Sequence, residues 1–132
     1  MYRKLLLIAG SSGALCVALG AMGAHFLKEK ITPENLQTFE TAVRYQMYHT
    51  LALLLIAIIS EKYNSNLLRY AGYFFIVGIV FFSGSLYLLS TRSLLEVEDL
   101  GWIGAITPIG GMLFIAGWLF IFTYGLRLSK KN

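Results

Sequence analysis

Four long apolar runs, separated by short polar segments, dominate the hydrophobic pattern of the chain. They cover residues 5–27, 41–60, 67–90 and 102–126. Each run is close to the ~20 residues that an α-helix needs to cross a hydrocarbon core of ~30 Å. None alternates apolar and polar residues as a transmembrane β-strand does. The pattern therefore predicts an all-α fold, a single domain over residues 1–132 that forms an integral membrane bundle of four transmembrane helices.

The first run also has features of a cleaved signal peptide, because two basic residues precede it and small residues follow at positions 20–24. Its apolar stretch is longer than a typical signal core, and cleavage would leave an odd number of spans. We therefore interpret it as a membrane helix. Small residues recur at every fourth position, at Gly10, Ala14 and Ala18, and such a face lets helix backbones approach closely in lipid. This density of small residues predicts that the first helix is central in the bundle.

The second helix has a clear predicted start. Thr32 is a typical N-cap, Pro33 suits the first helical position and Glu34 suits the first turn. No further break occurs before Ser60, so one long helix is predicted. The turn at residues 61–66 is short, which predicts that the second and third helices form an antiparallel pair.

Composition and charge agree with a membrane location. Hydrophobic residues make up 57% of the 132 residues and charged residues only 14%, whereas about 25% are charged in soluble domains. Seven of the eleven Lys and Arg residues fall on one side of the predicted bundle, namely Arg3, Lys4, Lys62, Arg69, Arg127, Lys130 and Lys131. The positive-inside rule then predicts that both termini are cytoplasmic, N-in/C-in. The net charge of +4 fits anionic lipid headgroups rather than nucleic acid, so we expect a multi-pass cell-membrane protein with membrane lipids as partners.

The strongest candidate for a site is a polar arc at the head of the second membrane run. Its members are Glu40, Arg44, Tyr45, Gln46, Tyr48 and His49, and His25 lies at the same end of the first helix. An ionisable residue costs about 2.5–3.5 kcal/mol at the centre of a membrane helix, so such residues usually pair and face the interior. Glu40 and Arg44 have the spacing that favours an ion pair, and we predict that this pair and His49 face the bundle interior.

Two interpretations of this arc stay open at the level of sequence. In the first, the arc is structural. Glu40 neutralises Arg44, the tyrosines form hydrogen bonds to other helices, and His49 is a neutral core residue whose hydrogen bonds are satisfied. In the second, the arc lines an outward-facing polar cavity that binds a ligand, a lipid headgroup or a proton. A metal or haem site built from His25 and His49 lacks the usual carboxylate or cysteine spacing, so neither metal nor cofactor is predicted.

Two further segments interrupt the apolar pattern. Ser83 and Ser85 form a small polar notch in the third helix without an evident base beside them, so we predict a role in helix packing. In the fourth helix the interruption consists of Thr107, Pro108, Gly110 and Gly111. A proline with paired glycines predicts a kink, with a functional unwound segment as the alternative. We expect these glycines to pack against a neighbouring helix, the first by preference.

The chain contains no recognisable catalytic motif, so an enzyme is not favoured. Neither Gly-x-Ser-x-Gly nor Cys-x-x-Cys occurs, and the single Cys16 is interpreted as a small packing residue.

Four ordered motifs resemble a known family. They are GAMGAH at residues 20–25, YQMYH at 45–49, FSGSLY at 82–87 and TPIGG at 107–111, followed by Gly117-Trp118. Together they resemble the small bacterial membrane family called domain of unknown function 423, which is similar to eukaryotic transmembrane protein 256. The resemblance implies a four-span membrane protein and no established activity, substrate or cofactor. The loop at residues 93–100 departs from the family by being longer and more acidic.

Three functions are therefore weighed. The first is a structural or accessory membrane protein, a homo-oligomer or the subunit of a partner membrane protein, because the first and fourth helices carry small-residue faces. The second is a small transporter or a protein that binds a ligand, lipid or proton through the polar arc of the second helix. The third, a membrane enzyme, has no positive support in the sequence.

Overall fold

The computed structural model describes residues 1–97 and 99–129, and the elements in this part of the chain are helical. The helices are α1 (Tyr2–His25), α2 (Pro33–Lys62), α3 (Asn66–Gly78), α4 (Gly84–Thr91) and α5 (Ile106–Ser129). A π-helical segment, Ile79–Ser83, joins α3 to α4, and short 3₁₀ helices cover Leu27–Glu29 and Gly101–Ala105. Four continuous helical stretches are long and apolar enough to span a membrane: Tyr2–Glu29, Pro33–Lys62, Asn66–Thr91 and Gly101–Leu128. The predicted all-α, four-span fold is confirmed.

The predicted start of the second helix is also confirmed. The Thr32 side chain accepts a hydrogen bond from the backbone N–H of Asn35 at 3.2 Å, and Pro33 is the first helical residue. This bond satisfies one of the N–H groups that a helix leaves unpaired in its first turn. The helix then continues without interruption to Lys62.

The central helix of the bundle is α2, and the prediction that the first helix is central was wrong. In the most apolar segment of each helix, 44% of the residues of α2 are buried in the bundle, against 17% for the first spanning helix. The small residues of α1 lie on two faces of the helix. Gly13, Gly20 and Gly23 lie against side chains of α2, whereas a Cβ added at Gly10 would meet no atom of another helix within 4 Å. The glycines allow one partner to approach closely, and the opposite face of α1 points outward.

The third and fourth spanning helices interlock through glycines and phenylalanines. Phe114 of α5 lies over Gly78 of α3, and Phe75 of α3 lies over Gly117 of α5. A Cβ at Gly78 would stand 2.6 Å from Phe114, so only glycine leaves room for this ring. Both rings belong to the main hydrophobic core, which Leu53 and Ile56 of α2 complete.

The segment around Pro108 in the fourth spanning helix differs from what the sequence predicted. Pro108 is the third residue of α5, next to the junction with the preceding 3₁₀ helix, and it has no N–H to donate. The irregular backbone lies before it, in the 3₁₀ helix Gly101–Ala105. Gly110 packs against the backbone of Phe82 in the third spanning helix, not against the first helix. The predicted neighbour, the first helix, was therefore wrong, and the kink stays a prediction.

Candidate functional site

The predicted polar arc of α2 divides into an exposed part and a buried part. Glu40, Arg44, Tyr45 and Tyr48 are exposed, whereas Gln46 and His49 are 3% and 5% exposed. The Arg44 guanidinium donates to the Thr41 hydroxyl at 3.3 Å. The prediction that Glu40 and Arg44 face the interior was therefore wrong.

Helical periodicity explains this division. The buried face of α2 follows Phe39, Ala42, Gln46, His49 and Leu53, at steps of three and four residues. Positions 40 and 44 fall outside that stripe and line a surface groove between α1 and α2. Both lie within four residues of the start of the apolar run at residue 41, and a long charged side chain near the end of such a run can reach the membrane interface.

His49 is held by hydrogen bonds at both ring nitrogens. Nδ1 lies 2.7 Å from the carbonyl oxygen of Tyr45, and the indole Nε1 of Trp118 donates to Nε2 at 3.2 Å. An indole N–H can only donate, so Nε2 acts as the acceptor and the proton is on Nδ1. The ring also stacks on Phe114, with centroids 3.4 Å apart and planes 6° apart. His49 is thus a neutral anchor between α2 and α5.

The two histidines do not share a site. His25 is the exposed last residue of α1 and does not line the groove at His49. Among residues 1–97 and 99–129, no group of three or more His, Cys, Asp or Glu side chains could hold a metal ion.

A groove of about 670 Å³, which we call the aromatic groove, opens beside His49 between α2, the π segment and α5. It is lined by Tyr45, Tyr48, His49, Phe82, Pro108, Gly111, Met112, Phe114, Ile115 and Trp118. Its mouth lies on the outer surface of the bundle, because Tyr48, Met112 and Ile115 are each more than half exposed. The volume lies within the range of about 300–1,000 Å³ that is usual for small-molecule sites. A ligand would reach the groove laterally, through this mouth, from the surrounding lipid.

A second feature is a buried polar network that joins three spanning helices around Gln46. The amide Nε2 donates to the Ser12 carbonyl oxygen at 3.1 Å and approaches its hydroxyl at 3.3 Å. The Tyr87 hydroxyl donates to Oε1 of Gln46 at 2.7 Å. The Ser12 and Thr50 hydroxyls lie 2.7 Å apart. This polar network (Ser12, Gln46, Thr50 and Tyr87) satisfies the amide inside the bundle, where lipid offers no partner.

The serine notch of the third helix serves packing, as predicted. Ser83 donates to the carbonyl oxygen of Ala42 in α2 at 2.8 Å. Ser85 donates to the Phe82 carbonyl oxygen at 2.9 Å, and its Oγ lies 2.6 Å from the Thr107 hydroxyl. Since Ser85 has a single hydroxyl proton, Thr107 is the donor in the second bond. Ser83 is the last residue of the π segment, and π-helical turns are frequent at functional sites.

Sequence reasoning missed several residues that the structure brings together. It did not assign Ser12, Thr50 or Tyr87 to the network, nor Trp118 to His49. One signal was present, because Gln46 is an amide inside an apolar run and must find partners on other helices. No local pattern marks the π segment.

Comparisons with known proteins identify relatives of the chain. The family model described as "Protein of unknown function (DUF423)" matches residues 19–111. A UPF0382 membrane protein of Staphylococcus haemolyticus is 46% identical over 113 residues, covering 83% of this chain and 87% of the relative. The UPF0382 membrane protein YwdK of Bacillus subtilis is 43% identical over 120 residues, covering 89% and 93%. The UPF0382 inner membrane protein YgdD of Escherichia coli K12 is 36% identical over 130 residues, covering 98% and 95%. No solved structure matches.

Proposed function

Because the chain belongs to the DUF423 family, whose relatives are membrane proteins of unknown activity, we propose that it is an accessory protein that binds a membrane-soluble ligand in the aromatic groove. The ligand class that this groove fits is a molecule with a flat apolar ring, such as a quinone. The observation that carries the proposal is the groove itself, about 670 Å³ of aromatic-walled space that opens toward lipid.

The geometry of the walls favours a planar ligand. Phe114 and His49 stack in parallel planes, and Tyr45 packs on Phe82 with ring centroids 4.6 Å apart. Fixed aromatic rings of this kind favour stacking and edge contacts with another ring. Gly111 has no side chain, and the space it leaves is part of the groove.

Binding is favoured over proton transport because of the hydrogen bonds of His49. Protonation would place an N–H at Nε2 directly opposite the Trp118 N–H, so two donors would face each other. A proton carrier in a membrane needs a group that can exchange protons along a path of polar partners. His49 instead has both ring nitrogens committed to protein atoms.

The first test uses the two tryptophans as reporters. Trp118 lines the aromatic groove, whereas Trp102 lies in the 3₁₀ helix before α5 and is 65% exposed. Trp102→Phe leaves the groove reporter and Trp118→Phe leaves the distant one. In lipid nanodiscs, menadione, a naphthoquinone, is expected to quench the Trp118 reporter with saturation and the Trp102 reporter only in proportion to its membrane concentration. Proportional quenching of both reporters would refute the proposal.

A matched pair of glycine variants separates groove binding from a general effect. In the Trp102→Phe background, Gly111→Leu fills the groove, and menadione affinity is expected to fall about tenfold, equivalent to about 1.4 kcal/mol. Gly125→Leu adds the same side chain at a glycine of α5 with open space around it, and affinity should stay unchanged. Equal affinities in both variants would place the probe outside the groove.

We also propose that the protein spans the cell membrane four times with both termini in the cytoplasm, supported by the seven basic residues on that side. Asn64→Cys and Glu96→Cys place a thiol in the second and third connections, and the native Cys16 is buried. An impermeant maleimide added to intact cells is expected to label the variant at position 96 and not the variant at 64. Permeabilised cells should label both, and the reverse pattern in intact cells would invert the topology.

A further inference from the structure

A second groove runs between α1 and the third spanning helix, and it shares no lining residue with the aromatic groove. At the end of the bundle where α1 begins, a pocket of about 310 Å³ is lined by Lys4, Arg69 and Tyr73 together with apolar side chains. An adjoining pocket of about 270 Å³ continues inward past Ile79 and Val80. The two pockets adjoin each other, because Ile8 and Ile76 line both, and we call them together the basic groove.

The charges of the basic groove lie only at its outer end. Lys4 comes from α1 and Arg69 from α3, and in residues 1–97 and 99–129 neither cation is paired with a carboxylate. Below them the basic groove is lined mainly by isoleucine, leucine and valine side chains, and Ser11, Ser12 and Gln46, on the side of the polar network, also line its inner pocket. Two cations above an apolar channel complement a molecule with an anionic head and a hydrocarbon tail.

The depth of the basic groove fits such a molecule. Leu15 lines its inner pocket and lies eleven residues after Lys4 on α1, or ~16 Å at ~1.5 Å per residue. Half of the ~30 Å hydrocarbon core is ~15 Å, which is the depth that one acyl chain covers. We propose that the basic groove binds one anionic phospholipid, its phosphate between Lys4 and Arg69 and one acyl chain over Ile8 and Ile76.

A free anion does not account for the apolar channel, and a second basic pocket provides the comparison. Lys62 and Arg127 line a pocket of about 480 Å³ at the same end of the bundle. Its other lining residues are Tyr63, Asn64, Ser65, Tyr124 and Leu128, and it shares no residue with the inner pocket of the basic groove. A lysine and an arginine are therefore present there too, but beside a more polar lining that fits an acyl chain less well.

The experiment compares lipid retention in two double variants that lose equal charge. Purified full-length protein would be mixed with phosphatidylglycerol or phosphatidylcholine in mild detergent, and bound lipid would be counted by native mass spectrometry. Lys4→Gln with Arg69→Gln is expected to weaken phosphatidylglycerol binding about tenfold. Lys62→Gln with Arg127→Gln should leave it within about twofold of the parent. Equal losses in both double variants would overturn the proposal.

Two further arms separate a lipid site from an anion site. Ile76→Trp fills the channel without changing charge and is expected to weaken phosphatidylglycerol binding, whereas unchanged binding would mean that no acyl chain lies there. Excess inorganic phosphate is expected not to displace the lipid. Displacement by phosphate would mean that the site binds an anion without the acyl chain. Equal retention of phosphatidylcholine would mean that the charge of the headgroup is not recognised, and either result would refute the proposal. Thermal unfolding of each variant checks that the fold is intact.

Discussion

Gly110→Ala is expected to destabilise the bundle by about 3 kcal/mol, the upper part of the usual range for overpacking. A Cβ at this position would lie 2.8 Å from the Cα of Phe82 and closer still to its backbone nitrogen. Backbone atoms cannot rotate away as a flexible side chain can, so the third and fourth spanning helices must separate. Such separation would loosen the core that Phe75 and Phe114 form next to the contact.

The neighbouring glycine provides the control for this prediction. A Cβ at Gly111 would lie 3.8 Å from the Phe82 ring, an ordinary van der Waals contact. Alanine is about 0.8–1.0 kcal/mol more favourable than glycine in a helix interior, so Gly111→Ala should be neutral or stabilising. Denaturation of both variants in the same mixed micelles measures the difference. If the two variants have the same free energy of unfolding, the two helices do not approach each other as closely at Gly110 as described.

The contact at Gly110 also links stability to the aromatic groove. Phe82, which the new methyl group would push away, is one wall of that groove and lies in the π segment. Gly110→Ala should therefore weaken menadione binding as well as the fold, although residue 110 does not line the groove.

The sequence predicted the four spans because length and apolar composition decide whether a helix crosses a bilayer. It also predicted where α2 begins, since Thr32 and Pro33 act locally on the first turn. It did not predict which face of α2 is buried. Glu40 and Arg44 were predicted to face inward because a charge in lipid is costly, yet both are exposed, and near the start of the apolar run long side chains can reach the interface. Only the packing partners of α2 show that Gln46 and His49 face inward.

The remaining differences depend on contacts between segments far apart in the sequence. The small residues of α1 indicate close packing but not which of its faces is packed, so its central position was wrong. The glycines after Pro108 were expected to pack on the first helix, but Gly110 lies against Phe82 of the third spanning helix. Trp118 and His49 are 69 residues apart, and no spacing rule connects them. Assembly as a homo-oligomer or with a partner membrane protein, through the small-residue faces of the first and fourth helices, stays a prediction.

The second large effect is expected at Gln46, the centre of the polar network. Gln46→Leu removes the bonds to Ser12 and leaves the Tyr87 hydroxyl without its acceptor. A buried polar group left without a partner costs about 1–3 kcal/mol, and single hydrogen bonds in membrane proteins average about 0.6 kcal/mol. We expect a loss of about 2 kcal/mol. The control is Gln37→Leu, an exposed glutamine of the same helix, which should change stability by less than about 0.5 kcal/mol.

A double-mutant cycle with Tyr87→Phe shows whether this loss arises from the network. Tyr87→Phe alone should cost about 1 kcal/mol, because it leaves Oε1 of Gln46 without a donor. In the double variant both partners are apolar, so the combined loss should be smaller than the sum by about 1 kcal/mol. Strictly additive losses would mean that Gln46 and Tyr87 do not share a hydrogen bond in the membrane. Water would then have to reach the amide, and the space between α1, α2 and the third spanning helix would be a hydrated cavity rather than a paired core.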